Sequence, residues 1–136
     1  MKTLRVKILP LTLFILISAT FVFTQPENKP KAIINLMTYD IGEIIQDSIV
    51  TIYYVITNEG SELLKITKVS ASCGCTEVMP EKNKLGPNES TKIKVTFNSK
   101  DRLGKQNKII SVHTNDPNNS IMRLTLKGNV LKSKST

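Results

Sequence analysis

Tryptophan is absent from these 136 residues, histidine occurs once, at His113, and cysteine twice, at Cys73 and Cys75. Each shortage removes a class of function. With no tryptophan, and no run of basic residues interleaved with aromatics, the chain offers no stacking platform for nucleic acid, and no nucleic-acid partner is expected. The Cys-Trp-Cys signature of antibody domains is missing. Two cysteines supply half of a four-ligand structural zinc site. A nucleophilic cysteine would need a nearby base and an orienting group, and the lone histidine stands far along the chain. No catalytic residue is assigned, and the chain is expected not to be an enzyme. Helical periodicity is also lacking from residue 32 onward, since no window carries an apolar stripe at i, i+3, i+4 spacing.

What is present begins with an address. Lys2, Arg5 and Lys7 precede an apolar run from Ile8 to Phe23 that contains Pro10, too short for a spanning helix and shaped like a secretory signal. Residues 1–24 read as a signal peptide cleaved after Ala19 or Thr24, leaving no membrane span. The product is expected in the periplasm or outside the cell. Loss of the leader removes three of nineteen basic residues and none of eleven acidic ones, so the net charge falls from +8 to +5. The remaining cations are dispersed among acids and threonines, the pattern of solvated sheet faces.

Residues 25–31, with Pro26 and Pro30, read as a flexible lead-in, and residues 132–136 as a polar tail. Between them, over residues 32–131, short alternating runs are separated by turn chemistry. Strands are expected at 32–37, 49–57, 63–69, 77–79, 92–97, 105–114 and 121–130, with Tyr39–Glu43 as a corner. Val50, Ile52, Tyr54 and Ile56 share one face of the longest run, and Ile93, Val95 and Phe97 alternate with polar residues. Ile110 and Val112 point inward, as do Met122, Leu124, Leu126 and Val130. The turn Asn58-Glu59-Gly60-Ser61 reads as the bend of a hairpin whose second arm is 63–69. Val69 falls out of phase, which places a bulge or a strand end just before the cysteines. Seven short strands with turns every 8 to 12 residues describe an all-β, immunoglobulin-like seven-stranded β-sandwich.

The order Asn58-x-Gly60, Leu64-x-Ile66-x-x-Val69, Ser72-Cys73-Gly74-Cys75-Thr76, Pro87, Arg102-x-Gly104, Ile110-x-Val112-x-Thr114-Asn115-Asp116 and Leu124-x-Leu126-x-Gly128-x-Val130 resembles a family of secreted bacterial domains of unknown function, common in Bacteroidetes. The fold of that family is similar to the abnormal-spindle/hydin (ASH) immunoglobulin-like domains. The resemblance implies a location and a fold and implies no established reaction.

The Cys-Gly-Cys turn leaves several chemistries open. In extended chain, residues two apart lie about 6.6 Å apart at Cα, at the far edge of the disulfide window. A Cys73–Cys75 bridge therefore requires contraction at Gly74. Reduced, Cys73 and Cys75 would form a metal pair for Cu(I) or Zn(II); otherwise they are a redox pair, or one is simply buried as a small apolar side chain. His113 and Met79 are expected to stand too far off to join them. The corners 42–46 and 100–104 are expected at the same pole, with Lys100, Arg102 and Lys105 favouring thiolate. The first reading is a secreted, non-enzymatic module without a cofactor that binds a cell-envelope protein or surface polymer. The alternative is a small thiol protein that binds copper or zinc or exchanges disulfides.

Overall fold

The alternation seen in the sequence becomes two stacked sheets in the computed structural model, which describes residues 28–133. The signal peptide read over residues 1–24 lies outside the described residues. Nine strands and no helix occur among those described: β1 (Ala32–Ile34), β2 (Thr38–Ile45), β3 (Ile49–Asn58), β4 (Leu64–Ala71), β5 (Thr76–Pro80), β6 (Lys84–Leu85), β7 (Ser90–Asn98), β8 (Gly104–Thr114) and β9 (Ile121–Leu131). One sheet has the order β1-β3-β7-β5 and the other β2-β9-β8-β4-β6. All neighbours are antiparallel except β2 and β9.

The inward sets meet as expected. Ile52, Tyr54 and Ile56 of β3 and Ile93, Val95 and Phe97 of β7 are buried in one cluster with Ile110 and Val112 of β8 and Met122, Leu124, Leu126 and Val130 of β9. At about 1.5 to 3 kcal/mol for each fully buried large side chain, this layer is the main stabilising term. Tyr54 also carries a polar bond through the core, its hydroxyl donating to the Thr125 carbonyl at 2.7 Å. Burial pushes that phenol up to about 12.

Three local readings change. Tyr39–Glu43 is not a corner but part of β2, which runs parallel to β9 with a register shift between Asp40 and Glu43. The chain crosses just before it, between Ile34 and Thr38, since β1 belongs to one sheet and β2 to the other. The expected hairpin between β3 and β4 is instead a crossing from sheet to sheet. Its Asn58 is fully buried: the side-chain amide donates to the carbonyls of Glu62, Leu85 and Gly86, and its oxygen accepts from the amides of Lys31 and Gly60. The third change concerns the lead-in, whose last residues are held. Glu59 and Ser61 donate their amides to the Lys31 and Lys29 carbonyls, and Lys31 pairs with Glu59 at 3.0 Å.

Candidate functional site

The cysteine turn lies where the chain passes from β4 in one sheet to β5 in the other, at one pole of the sandwich. Its arms are anchored by main chain. On the β4 side the Ser72 amide donates to the Ile109 carbonyl at 2.9 Å, and the Ile109 amide donates to Ser72 Oγ at 3.0 Å. On the β5 side the Asn98 amide donates to the Cys75 carbonyl at 2.9 Å. Inside the turn the Thr76 amide donates to the Cys73 carbonyl at 3.3 Å. The bulge that the phase of Val69 suggested falls slightly earlier, between Ile66 and Lys68.

The contraction required at Gly74 takes place. The Cα atoms of Cys73 and Cys75 are 5.3 Å apart and the two sulfurs are joined as a disulfide. Gly74 at the tip is exposed and a side-chain carbon there would meet nothing within 4 Å. Both cysteines are half-buried, and Cys75 packs against the core. Beneath them lies Thr76, which is 6% exposed. Its Oγ1 is 3.6 Å from Cys73 Sγ and 3.9 Å from Cys75 Sγ.

Two shallow hollows flank the turn. One, of about 250 Å³, is lined by Gly74, Cys75, Asn98, Lys100, Asp101 and Arg102. The other, of about 210 Å³, includes Cys75, Ile49, Glu77 and Thr96. Lys100 and Arg102 thus come to the cysteine pole as expected. Lys105 does not: it pairs with Asn129 and lines a groove on the opposite sheet. Of the corner 42–46, the Ile45 end is drawn in, because Ser99 Oγ donates to the Ile45 carbonyl, while Gly42 and Glu43 line that other groove. His113 stands opposite Lys68, five residues back from Cys73, and Met79 opposite Lys94, so neither meets the sulfurs.

Lys108 was missed, although its parity with Ile110 and Val112 marks it as inward. Its ammonium lies 6.0 Å from the Phe97 ring centroid, and burial, then the Arg102 charge, pull its pKa down. No group of three or more His, Cys, Asp or Glu side chains gathers among the described residues. As long as the two sulfurs are joined, Cys73 and Cys75 have no thiolate to offer copper or zinc.

The outer face of the β1-β3-β7-β5 sheet leads away from this pole. Ile49, Tyr53 and Met79 are 67%, 46% and 70% exposed. The register sets Tyr53 and Met79 on either side of Lys94 and sets Ile49 beside Asn98. A hollow of about 360 Å³ opens among Glu77, Val78, Met79, Lys94 and Thr96. Lys92 lies 5.6 Å from the Tyr53 ring centroid.

Two sheets in this order define an immunoglobulin-like sandwich, similar in fold to the ASH/PapD-like domains. The chain superposes on the ASH/PapD-like domain 7 of human CEP192 with a TM-score of 0.65 at 13% identity, over 83% of this chain and 93% of that one. The chain belongs to the DUF1573 family, proteins of unknown function, whose model matches residues 32–130. A protein of unknown function from Porphyromonas gingivalis W83 is similar, with a TM-score of 0.68 at 16% identity over 81% of this chain and 51% of that one. A family 123 glycoside hydrolase from Clostridium perfringens matches with a TM-score of 0.62 at 10% identity, over 77% of this chain and 27% of that one. This chain therefore spans about half of the Porphyromonas protein and about a quarter of the hydrolase, and at these identities the likeness is one of fold. No curated protein matches the sequence.

Proposed function

We propose that this chain is an exported, non-enzymatic immunoglobulin-like module that docks on another protein of the cell envelope. The observation that carries the reading is the outer face of the β1-β3-β7-β5 sheet, where exposed Tyr53 and Met79 flank Lys94 and exposed Ile49 stands further along the sheet beside Asn98. Aromatic residues and methionine are enriched at protein interfaces, and the partner would bring a carboxylate to Lys94 and apolar contacts to its flanks. The secretory pattern of residues 1–24 supports the location. A photo-crosslinking residue at position 79, compared with one at Thr125 on the opposite sheet, tests the reading in cells. A discrete protein adduct at 79 that Tyr53→Ala weakens is expected. Equal labelling from both faces, or labelling of a surface polymer alone, overturns it.

A second reading is a small thiol protein, favoured by the placement of a disulfide on an exposed turn where it joins nothing that the chain does not already join. On this reading the pair Cys73 and Cys75 exchanges disulfides, or, once reduced, takes Cu(I) or Zn(II).

A further inference from the structure

The hydroxyl of Thr76 sits beneath the cysteine turn within reach of both sulfurs and is all but closed to water. Among the described residues it has no nitrogen or oxygen partner for its side chain, so the two sulfurs are the atoms it serves. A disulfide sulfur is a weak acceptor, whereas a thiolate is a strong one. This group is therefore placed for a state of the bridge other than the closed one.

We propose that Thr76 is the thiolate-stabilising residue of a thiol–disulfide exchange site at Cys73 and Cys75, whose substrates are thiols. The proposal rests on the exchange reading above and assigns the group that drives it. An incoming thiolate attacks one Sγ; a new S–S bond to that sulfur forms, the Cys73–Cys75 bond breaks, and its electron pair leaves on the other Sγ. That leaving thiolate accepts a hydrogen bond from Thr76 Oγ1. Because the hydroxyl is 3.6 Å from one sulfur and 3.9 Å from the other, it serves whichever leaves. A second thiolate then attacks the mixed disulfide. Two substrate thiols lose two electrons and two protons to become one disulfide, and Cys73 and Cys75 gain both as thiols.

Three features keep the site ready. The turn is held by the Ser72–Ile109 and Asn98–Cys75 bonds, none of which depends on the bridge, so opening it leaves the two sulfurs together. The tip at Gly74 is uncovered. Lys100 and Arg102 line one hollow beside Cys75 with Asp101, and Glu77 lines the other; the two cations on the Asp101 side favour an anionic attacker and an anionic leaving sulfur there.

The test uses the full chain, oxidised, with excess glutathione as the thiol, quenched by alkylation and weighed over time. Opening of the bridge in the folded protein is expected; Thr76→Val slows it roughly tenfold and Thr76→Ser stays within about twofold of wild type, since one charge-assisted hydrogen bond is removed in the first and kept in the second. After reduction, Thr76→Val also shifts the pH profile of alkylation upward, which a merely structural residue would not do. If the bridge opens and Thr76→Val matches wild type in rate and profile, the role of Thr76 is overturned while exchange stands. If the folded chain resists glutathione under conditions that open it in guanidinium, exchange itself falls.

Discussion

Asp116 shows how much one buried side chain organises in this protein. It is fully buried at the pole away from the cysteines, in the β8–β9 turn. Its Oδ2 accepts from the Ala32 amide at 2.8 Å and from Asn119 Nδ2 at 3.1 Å, and its Oδ1 accepts from the Asn118 amide at 2.8 Å. Burial pushes the carboxyl up, but these donors outweigh it and hold the pKa below its ordinary 3.8. A pKa lowered by folding stabilises the fold above the unfolded value, and that contribution disappears as the pH falls through the folded one. Asp116→Asn should therefore cost roughly 1 to 3 kcal/mol at neutral pH. In urea denaturation, the gap between variant and wild type should close on acidification below the ordinary aspartate range. The residue types of Asn115–Asn119, Asn-Asp-Pro-Asn-Asn between two expected strands, are those of a turn. That the aspartate anchors the first strand, far back in the chain, was not legible, because the donor at Ala32 arrives only through tertiary packing.

At the scale of elements, the parallel pairing of β2 with β9 depends on Gly128. A side-chain carbon built at this position would collide with Ile41 Cγ1 and lie 3.0 Å from the Gly42 carbonyl. The shift in register at Asp40/Glu43 brings Gly42, with φ of +67°, against this point. Gly128→Ala must push the bulge away from β9, and a loss of about 1 to 3 kcal/mol is expected, as for other overpacked sites. Hydrogen exchange should rise first in β2, while the β8–β9 ladder holds. The period of the sequence could not announce β2, since its burial alternates only in part and breaks at the bulge. The turn after β3 misled for a related reason: Asn-x-Gly is the local chemistry of a hairpin, whereas this asparagine is consumed by carbonyls from Glu62 and from the distant Leu85–Gly86 segment.

Across the whole molecule, the sandwich is held by its core and not by its disulfide. In the chain-entropy account a bridge that closes only three residues contributes about 1.5 kcal/mol, half of what a 15-residue loop would. Reduction, or replacement of both cysteines by serine, should lower stability by under about 2 kcal/mol and leave a cooperative unfolding transition. Thermal unfolding with and without reductant checks this, and a collapse on reduction would mean that the turn organises the sheets.

The amino-acid sequence by itself determined the class of fold, most strand positions and the inward face of β3, β7, β8 and β9. Those properties rest on a two-residue alternation and on turn residues that act locally. It also set the limit on the cysteine pair, because residues two apart in extended chain stand at the far edge of the disulfide window. Only the tertiary structure decided that the chain contracts at Gly74, that Thr76 lies under both sulfurs, and that Lys100 and Arg102 join them while Lys105 does not. These are meetings between segments that cross from sheet to sheet, and their distances follow from how the sheets stack, which no local pattern records.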